Sequence, residues 1–93
     1  FYGKNDIYDL QAAQYDDKAI LSWKCDNLKA AAWIYMATTN NKATGGKDNW
    51  QKVGEVPAQA GSCIIDLKKY GDSKFYKFAV RTMNNCITRQ LHK

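Results

Sequence analysis

The chain has 93 residues, of which 45% are hydrophobic and 13% aromatic, and it carries a formal net charge of +5. A chain of this length forms one domain with one core, and its hydrophobic content excludes a disordered polypeptide. The charge comes mainly from twelve Lys that are spread along the chain, against two Arg. Proteins that recognise specific nucleic-acid sequences cluster their basic residues and use Arg for bidentate hydrogen bonds. Because the basic residues here are dispersed and mostly Lys, we expect no nucleic-acid partner. No apolar run approaches the roughly 20 residues of a membrane-spanning helix, so we expect no membrane span.

The start of the chain carries no recognisable targeting segment. Residues 1–6 are predicted to be a lead-in or linker, residues 7–91 a domain, and residues 92–93 a tail. A start at Phe1 without Met is typical of a mature secreted chain or of a domain cut from a larger protein, and we favour the second.

The first two predicted strands are joined by an aspartate turn. Residues 7–14 form the first strand, and Asp16-Asp17 supply the turn chemistry. The second strand runs to Cys25, and every second residue from Ala19 to Cys25 falls on one face. This alternation is typical of a half-buried strand.

Residues 28–39 are ambiguous between a helix and a strand. The Lys-Ala-Ala-Ala start suits a helix, whereas Trp33-Ile34-Tyr35 and the two final Thr residues suit a strand. We interpret the segment as a strand from about Ala31, because its neighbours are strands and it has no helix cap. Residues 40–49 then form a polar loop, and residues 50–56 form a short strand that Pro57 ends.

The most regular strand of the chain lies near its C-terminal end. A turn at 58–61, a strand at 62–67 and a loop at 68–74 lead into residues 75–83, which alternate apolar and polar side chains. We expect this strand to lie in the middle of a sheet. A last strand follows at 86–91. Seven short strands with turn signals between them, and no well-defined helix, predict an all-β sandwich.

Five segments fall in the order found in a fibronectin type III module: Leu21-Ser22-Trp23, Trp33-Ile34-Tyr35, Trp50-Gln51-Lys52-Val53, Ile65-Asp66-Leu67 and the run from Tyr76 to Asn84. The chain therefore resembles that family over residues 7–91. The resemblance implies a seven-stranded immunoglobulin-like β-sandwich. One sheet would contain strands A (7–14), B (18–25) and E (62–67), and the other would contain strands C (31–39), C′ (50–56), F (74–83) and G (86–91). The chain departs from the family at Lys69, which stands where the family usually has Pro.

The resemblance also implies structural roles for several side chains. Trp23 would be buried between the sheets, and Phe78 and Val80 would point into the core from strand F. Tyr76 would occupy the tyrosine-corner position, with its hydroxyl bonded to backbone near Leu67.

Three cysteines, Cys25, Cys63 and Cys86, have wide spacing, and the chain has a single histidine, so we expect no zinc site. The count leaves open one disulfide with a free thiol, or three buried thiols. By the resemblance, Cys25 and Cys63 would lie side by side on neighbouring strands, as two buried thiols or as a disulfide. Cys86 would lie apart from both, at a turn.

No arrangement of residues typical of catalysis is present. The single His92 lies next to the C-terminus, and no motif ties a Ser or Cys to it. Most acidic residues fall in turns, and no phosphate-binding glycine loop occurs. We expect no enzymatic activity, no catalytic residues and no cofactor.

Aromatic and basic side chains form the remaining signal. If Ala32 and its alternate neighbours face the core, Trp33 and Tyr35 point outward on one strand. The resemblance places Lys77 and Arg81 beside them on the next strand. One interpretation is a cross-strand ladder in which Lys and Arg stems cover the rings. The other is an aromatic platform for a sugar or a partner, which Trp50 extends and near which Phe75 lies.

These features favour a non-catalytic β-sandwich module that acts as a spacer, stabiliser or protein-interaction unit. Its partners would be the flanking domains of a larger extracellular, periplasmic or cell-surface protein, and we expect a monomer. The resemblance adds bacterial glycan-acting proteins as a setting for such a module. The alternative is a carbohydrate-binding module that uses Trp33, Tyr35 and Trp50.

Overall fold

Seven β-strands make up most of the computed structural model, which describes residues 7–26, 29–39, 50–70, 75–83 and 85–92, apart from the side chains of Thr39 and His92. The strands are β1 (Ile7–Tyr15), β2 (Lys18–Cys25), β3 (Ala31–Thr39), β4 (Gln51–Pro57), β5 (Ser62–Asp66), β6 (Phe75–Arg81) and β7 (Cys86–His92). Short 3₁₀ helices occupy Ala58–Ala60 and Leu67–Tyr70. The predictions for residues 1–6 and 40–49 lie outside the described residues.

The strands form two antiparallel sheets, which confirms the predicted all-β sandwich. One sheet has three strands in the order β1-β2-β5, and the other has four in the order β4-β3-β6-β7. This division matches the grouping that the resemblance implied. The ambiguous segment is the strand β3, and the regular strand β6 lies between β3 and β7, inside its sheet as predicted.

The core lies between the sheets and follows the period-two alternation of the strands. From the four-stranded sheet, alternate residues of β3 and β6 are fully buried. The three-stranded sheet contributes Ile7, Leu10, Ala19, Leu21, Trp23 and Ile65. Leu67, at the start of the second 3₁₀ helix, joins the same cluster. Tyr76 is fully buried there, and the bond from its hydroxyl to backbone near Leu67 stays a prediction.

Trp23 anchors the first 3₁₀ helix to the three-stranded sheet. Its indole N–H donates a hydrogen bond of 2.9 Å to the carbonyl oxygen of Ala58, and its backbone N–H donates one of 2.9 Å to Gly61. A buried indole N–H without an acceptor would cost about 1–3 kcal/mol. The ring therefore fills the core while its one polar group is satisfied.

A β-bulge changes the alternation of β1. The pairing with β2 shifts between Tyr8 and Gln11, and Asp9 has a positive φ of 57°. Ile7 and Leu10 are three positions apart and would face opposite sides of a regular strand, yet both are buried. The bulge supplies the extra residue that turns both inward.

The β6–β7 turn is tied to the start of β1 by an asparagine. The backbone N–H of Thr82 donates to the carbonyl oxygen of Asn85 over 2.8 Å, which closes the turn. The side-chain amide of Asn85 donates to the carbonyl oxygen of Ile7 over 2.9 Å. This hydrogen bond therefore links the β6–β7 turn of one sheet to β1 of the other sheet at one side of the sandwich.

The disulfide between Cys25 and Cys63 that the resemblance suggested is wrong. Cys63 pairs with Leu21 across β2 and β5, whereas Cys25 pairs with Ile7 in β1. Because Leu21 and Cys25 are four residues apart on β2, Cys63 beside Leu21 lies roughly 13 Å along the strand from Cys25. The Cα atoms of a disulfide lie within ~7 Å of each other. Cys25, Cys63 and Cys86 are all free thiols. Cys25 and Cys63 pack against the core, and Cys86 is exposed.

Gly61→Ala should lower the free energy of unfolding by about 1–2 kcal/mol, measured by denaturant titration. Gly61 has a φ of 71°, and an added Cβ would lie 3.4 Å from the carbonyl oxygen of Trp23. Gly54→Ala is the matched control. Its methyl group would lie 3.5 Å from the Cys63 sulfur in ordinary contact, so stability should stay the same or rise. Equal losses in both variants would contradict this account of Gly61.

Alkylation of the unreduced protein in denaturant should add three groups per chain by mass spectrometry, because all three thiols are free. In the native protein, Cys86 should react before Cys63. Burial raises the pKa of the Cys63 thiol and so lowers its thiolate fraction. A prereduced sample serves as the control. A single added group without reduction, rising to three after reduction, would contradict the structure.

Candidate functional site

The predicted surface residues lie together on the outer face of the four-stranded sheet. In β3 and β6 the buried residues point to the core, so the alternate positions, Trp33, Tyr35, Lys77 and Arg81, point outward. Trp50 immediately precedes β4 and is 42% exposed. We call these five residues the aromatic face. Phe75 is the first residue of β6, next to the aromatic face, and it is half-buried.

The strand register determines which side chains meet across the aromatic face. Trp33 lies directly opposite Arg81, as a ladder of aromatic and basic residues requires. Tyr35, however, lies opposite Ala79, and Lys77 lies opposite Ala37. Direct pairs of ring and cation therefore occur at Trp33, with Arg81 on β6, and at Tyr35, with Lys52 on β4.

Two alanines form the floor of the aromatic face. Ala37 and Ala79 occupy outward-facing positions, yet they are only 2% and 7% exposed. Larger neighbouring side chains must therefore overhang them. Neither alanine lines the two depressions that lie on this face.

One depression of about 390 Å³ is lined by Trp33, Tyr35, Arg81, Thr82 and Met83. It combines two half-buried rings with a guanidinium group and the thioether of Met83, which is 89% exposed. Rings supply apolar contact area, while Arg donates hydrogen bonds in a planar fork. The depression is therefore suited to a flat ligand that has an apolar surface and an acceptor group.

A second depression, of about 520 Å³, is lined by Trp50, Lys77, Thr88, Arg89 and Gln90. Thr88 and Gln90 lie opposite Ala79 and Lys77, so they occupy the outward positions of β7. These polar residues were not among those predicted from the sequence. The alternation of β7 around its inward Ile87 and Leu91 could have identified them.

An ion pair fixes the environment of Trp33. The ammonium group of Lys52 lies 2.7 Å from the carboxylate of Glu55, which lies opposite Trp33 across β3 and β4. The hydrogen bond and charge of Lys52, and to a smaller extent the indole N–H of Trp33, lower the pKa of the Glu55 carboxyl. The negative charge of Glu55, beside the ring of Trp33, is therefore compensated by the ammonium group of Lys52.

A second bulge allows that ion pair to form. Residues three apart point to opposite faces of a regular strand, and Lys52 and Glu55 have this spacing. The pairing with β3 skips Val53, since Ile34 pairs with Gly54 and Tyr35 with Lys52. The skipped residue brings both charged groups to the same side of β4.

The described part of the chain offers several kinds of contact group on the aromatic face. No group of three or more His, Cys, Asp or Glu residues in it could hold a metal ion. None of its helices is long and apolar enough to cross a membrane. Its side chains on the aromatic face offer stacking surface, hydrogen bonds and positive charge.

Lys52→Gln should raise the pKa of the Glu55 carboxyl, measured by carboxyl NMR during a pH titration. In the native protein that pKa lies below its ordinary value of 4.5. The stabilisation from the ionised group is therefore present above pH 4.5 and is lost as the pH falls through the lower folded-state pKa. Lys69→Gln, at an exposed lysine of the second 3₁₀ helix, should leave the titration unchanged. An unaltered Glu55 pKa in Lys52→Gln would contradict the ion pair.

Comparison with known proteins assigns no family to this chain. No family model, no curated protein and no solved structure matches it. The sandwich is therefore established by its own strand order and register, which are compatible with an immunoglobulin-like or fibronectin type III-like fold.

Proposed function

We propose that this protein is a non-catalytic module of the fibronectin type III kind, which serves a larger extracellular or cell-envelope protein as an interaction unit. Its partners would be the flanking domains of that protein, and the aromatic face would contact one of them. The single observation that carries the proposal is the gathering of Trp33, Tyr35, Trp50, Lys77 and Arg81 on one outer sheet face. Aromatic and Arg side chains are the residue types that most often dominate binding energy at protein surfaces.

The arrangement of the core supports a binding role for this face. β3 and β6 each have both sheet neighbours, so their backbones are paired on both sides. Their inward side chains are locked in the core, which holds the outward ones at fixed spacing. A ligand would therefore meet a preorganised surface and would lose less free energy in ordering it.

Carbohydrate binding is the second candidate, and the exposure and surroundings of Trp50 favour it. Stacking on a sugar ring requires an aromatic face that no neighbouring side chain covers. Tyr35 lies opposite the small Ala79 on β6 and opposite Lys52 on β4, whose ammonium group is paired with Glu55. Trp50, at 42% exposure, lies beside the hydroxyl of Thr88 and the amide of Gln90 in the second depression. Such groups can bond sugar hydroxyls while the indole contacts the ring.

Titration of the ¹⁵N-labelled protein, alone and joined to its flanking domains, with soluble neutral and acidic glycans tests both candidates. Shifts confined to the aromatic face, abolished in Trp50→Ala, would support carbohydrate binding. Tyr15→Ala is the matched control, because Tyr15 is a 72% exposed aromatic residue of the three-stranded sheet. Shifts at the aromatic face on joining the flanking domains would instead support the interaction unit. No shift there in either experiment would refute the proposed binding role.

A further inference from the structure

Charge is distributed unequally between the two sheets. The strands of the four-stranded sheet contain one acidic residue, Glu55, and four basic ones: Lys52, Lys77, Arg81 and Arg89. The strands of the three-stranded sheet are balanced, with two Asp and two Lys. The net positive charge of the strands therefore belongs to the sheet that carries the aromatic face.

The single acidic residue of that sheet does not offset the basic residues at the depressions. Glu55 is already paired with Lys52 over 2.7 Å. Arg81 lines the first depression, and Lys77 and Arg89 line the second. Asp and Glu are missing from the described lining of both depressions. Each depression therefore presents an aromatic side chain together with positive charge.

We propose that the aromatic face binds an acidic polysaccharide whose sugar rings carry carboxylate groups. This inference rests on the carbohydrate-binding function proposed above and specifies its ligand class. A carboxylate on a sugar places negative charge beside a ring that can stack on an indole or phenol. The guanidinium of Arg81 and the ammonium of Lys77 supply charge-assisted hydrogen bonds to such groups.

The spacing of the cations indicates a polymer rather than a single sugar. Lys77 and Arg81 are four residues apart on β6 and project from the same face, so their backbone positions are separated by roughly 13 Å. A ligand that engages both must carry acidic groups along an extended chain. A polymer of acidic sugars repeats such groups and can occupy both depressions at once, which raises its affinity over that of a monosaccharide.

Polygalacturonate and its fully methyl-esterified form are the matched probes, because esterification removes the charge and keeps the sugar backbone. Binding is followed by Trp fluorescence and by ¹H–¹⁵N shifts. We expect polygalacturonate to bind, with an affinity that falls as salt is added, and the ester to bind at least about tenfold more weakly. Arg81→Gln and Lys77→Gln should each weaken binding about five- to tenfold. Lys69→Gln, an equal loss of charge away from the face, should not.

The possible outcomes distinguish failure of the acidic-polysaccharide proposal from failure of the carbohydrate-binding proposal on which it rests. Equal binding of the ester at the aromatic face would overturn the acidic ligand and leave carbohydrate binding standing. No binding of either polymer would overturn both. Equal weakening by Lys69→Gln and Arg81→Gln would overturn the site, since net charge would then explain the attraction. Tighter binding of a single-stranded oligonucleotide would overturn the polysaccharide as the ligand.

Discussion

The pairing of β3 with β6 is the interaction on which the rest of the structure depends. These two strands are the inner members of the four-stranded sheet, and seven consecutive residues of one pair with seven of the other. Because side chains alternate, this register places Ile34 and Val80 side by side in the core and Trp33 beside Arg81 on the surface. A register shift of one residue in either strand would move its core side chains to the surface and its surface side chains to the core. The same constraint therefore stabilises the fold and assembles the aromatic face.

The two bulges show how the chain departs from alternation where packing or charge requires it. In β1, the bulge at Asp9 turns Ile7 and Leu10 to the same side, so both enter the core. In β4, the skipped Val53 brings Lys52 and Glu55 together beside Trp33. One bulge adds apolar contact between the sheets, and the other positions an ion pair on the surface. Bulges at edge strands also interrupt the regular backbone edge through which sheets aggregate.

The two outer faces of the sandwich have different chemistry despite a common backbone architecture. The three-stranded sheet balances its charges, and Lys24 lies 3.5 Å from Asp9 there in an exposed ion pair of small energetic value. The four-stranded sheet combines its rings with basic residues around two depressions. Fixed rings beside cations complement a ligand that is both flat and acidic, which is the basis for the ligand class proposed here.

The sequence by itself determined the strands and their inward faces, because alternation is a local property that needs no knowledge of neighbours. It also identified the aromatic and basic residues of the candidate surface from the same period. The tertiary structure alone decided which residues stand opposite one another. It separated Cys25 from Cys63, placed Ala79 beside Tyr35, and brought Thr88 and Gln90 to the side of Trp50. These outcomes depend on strand register and on bulges, which arise from packing between distant segments and leave no local pattern in the chain.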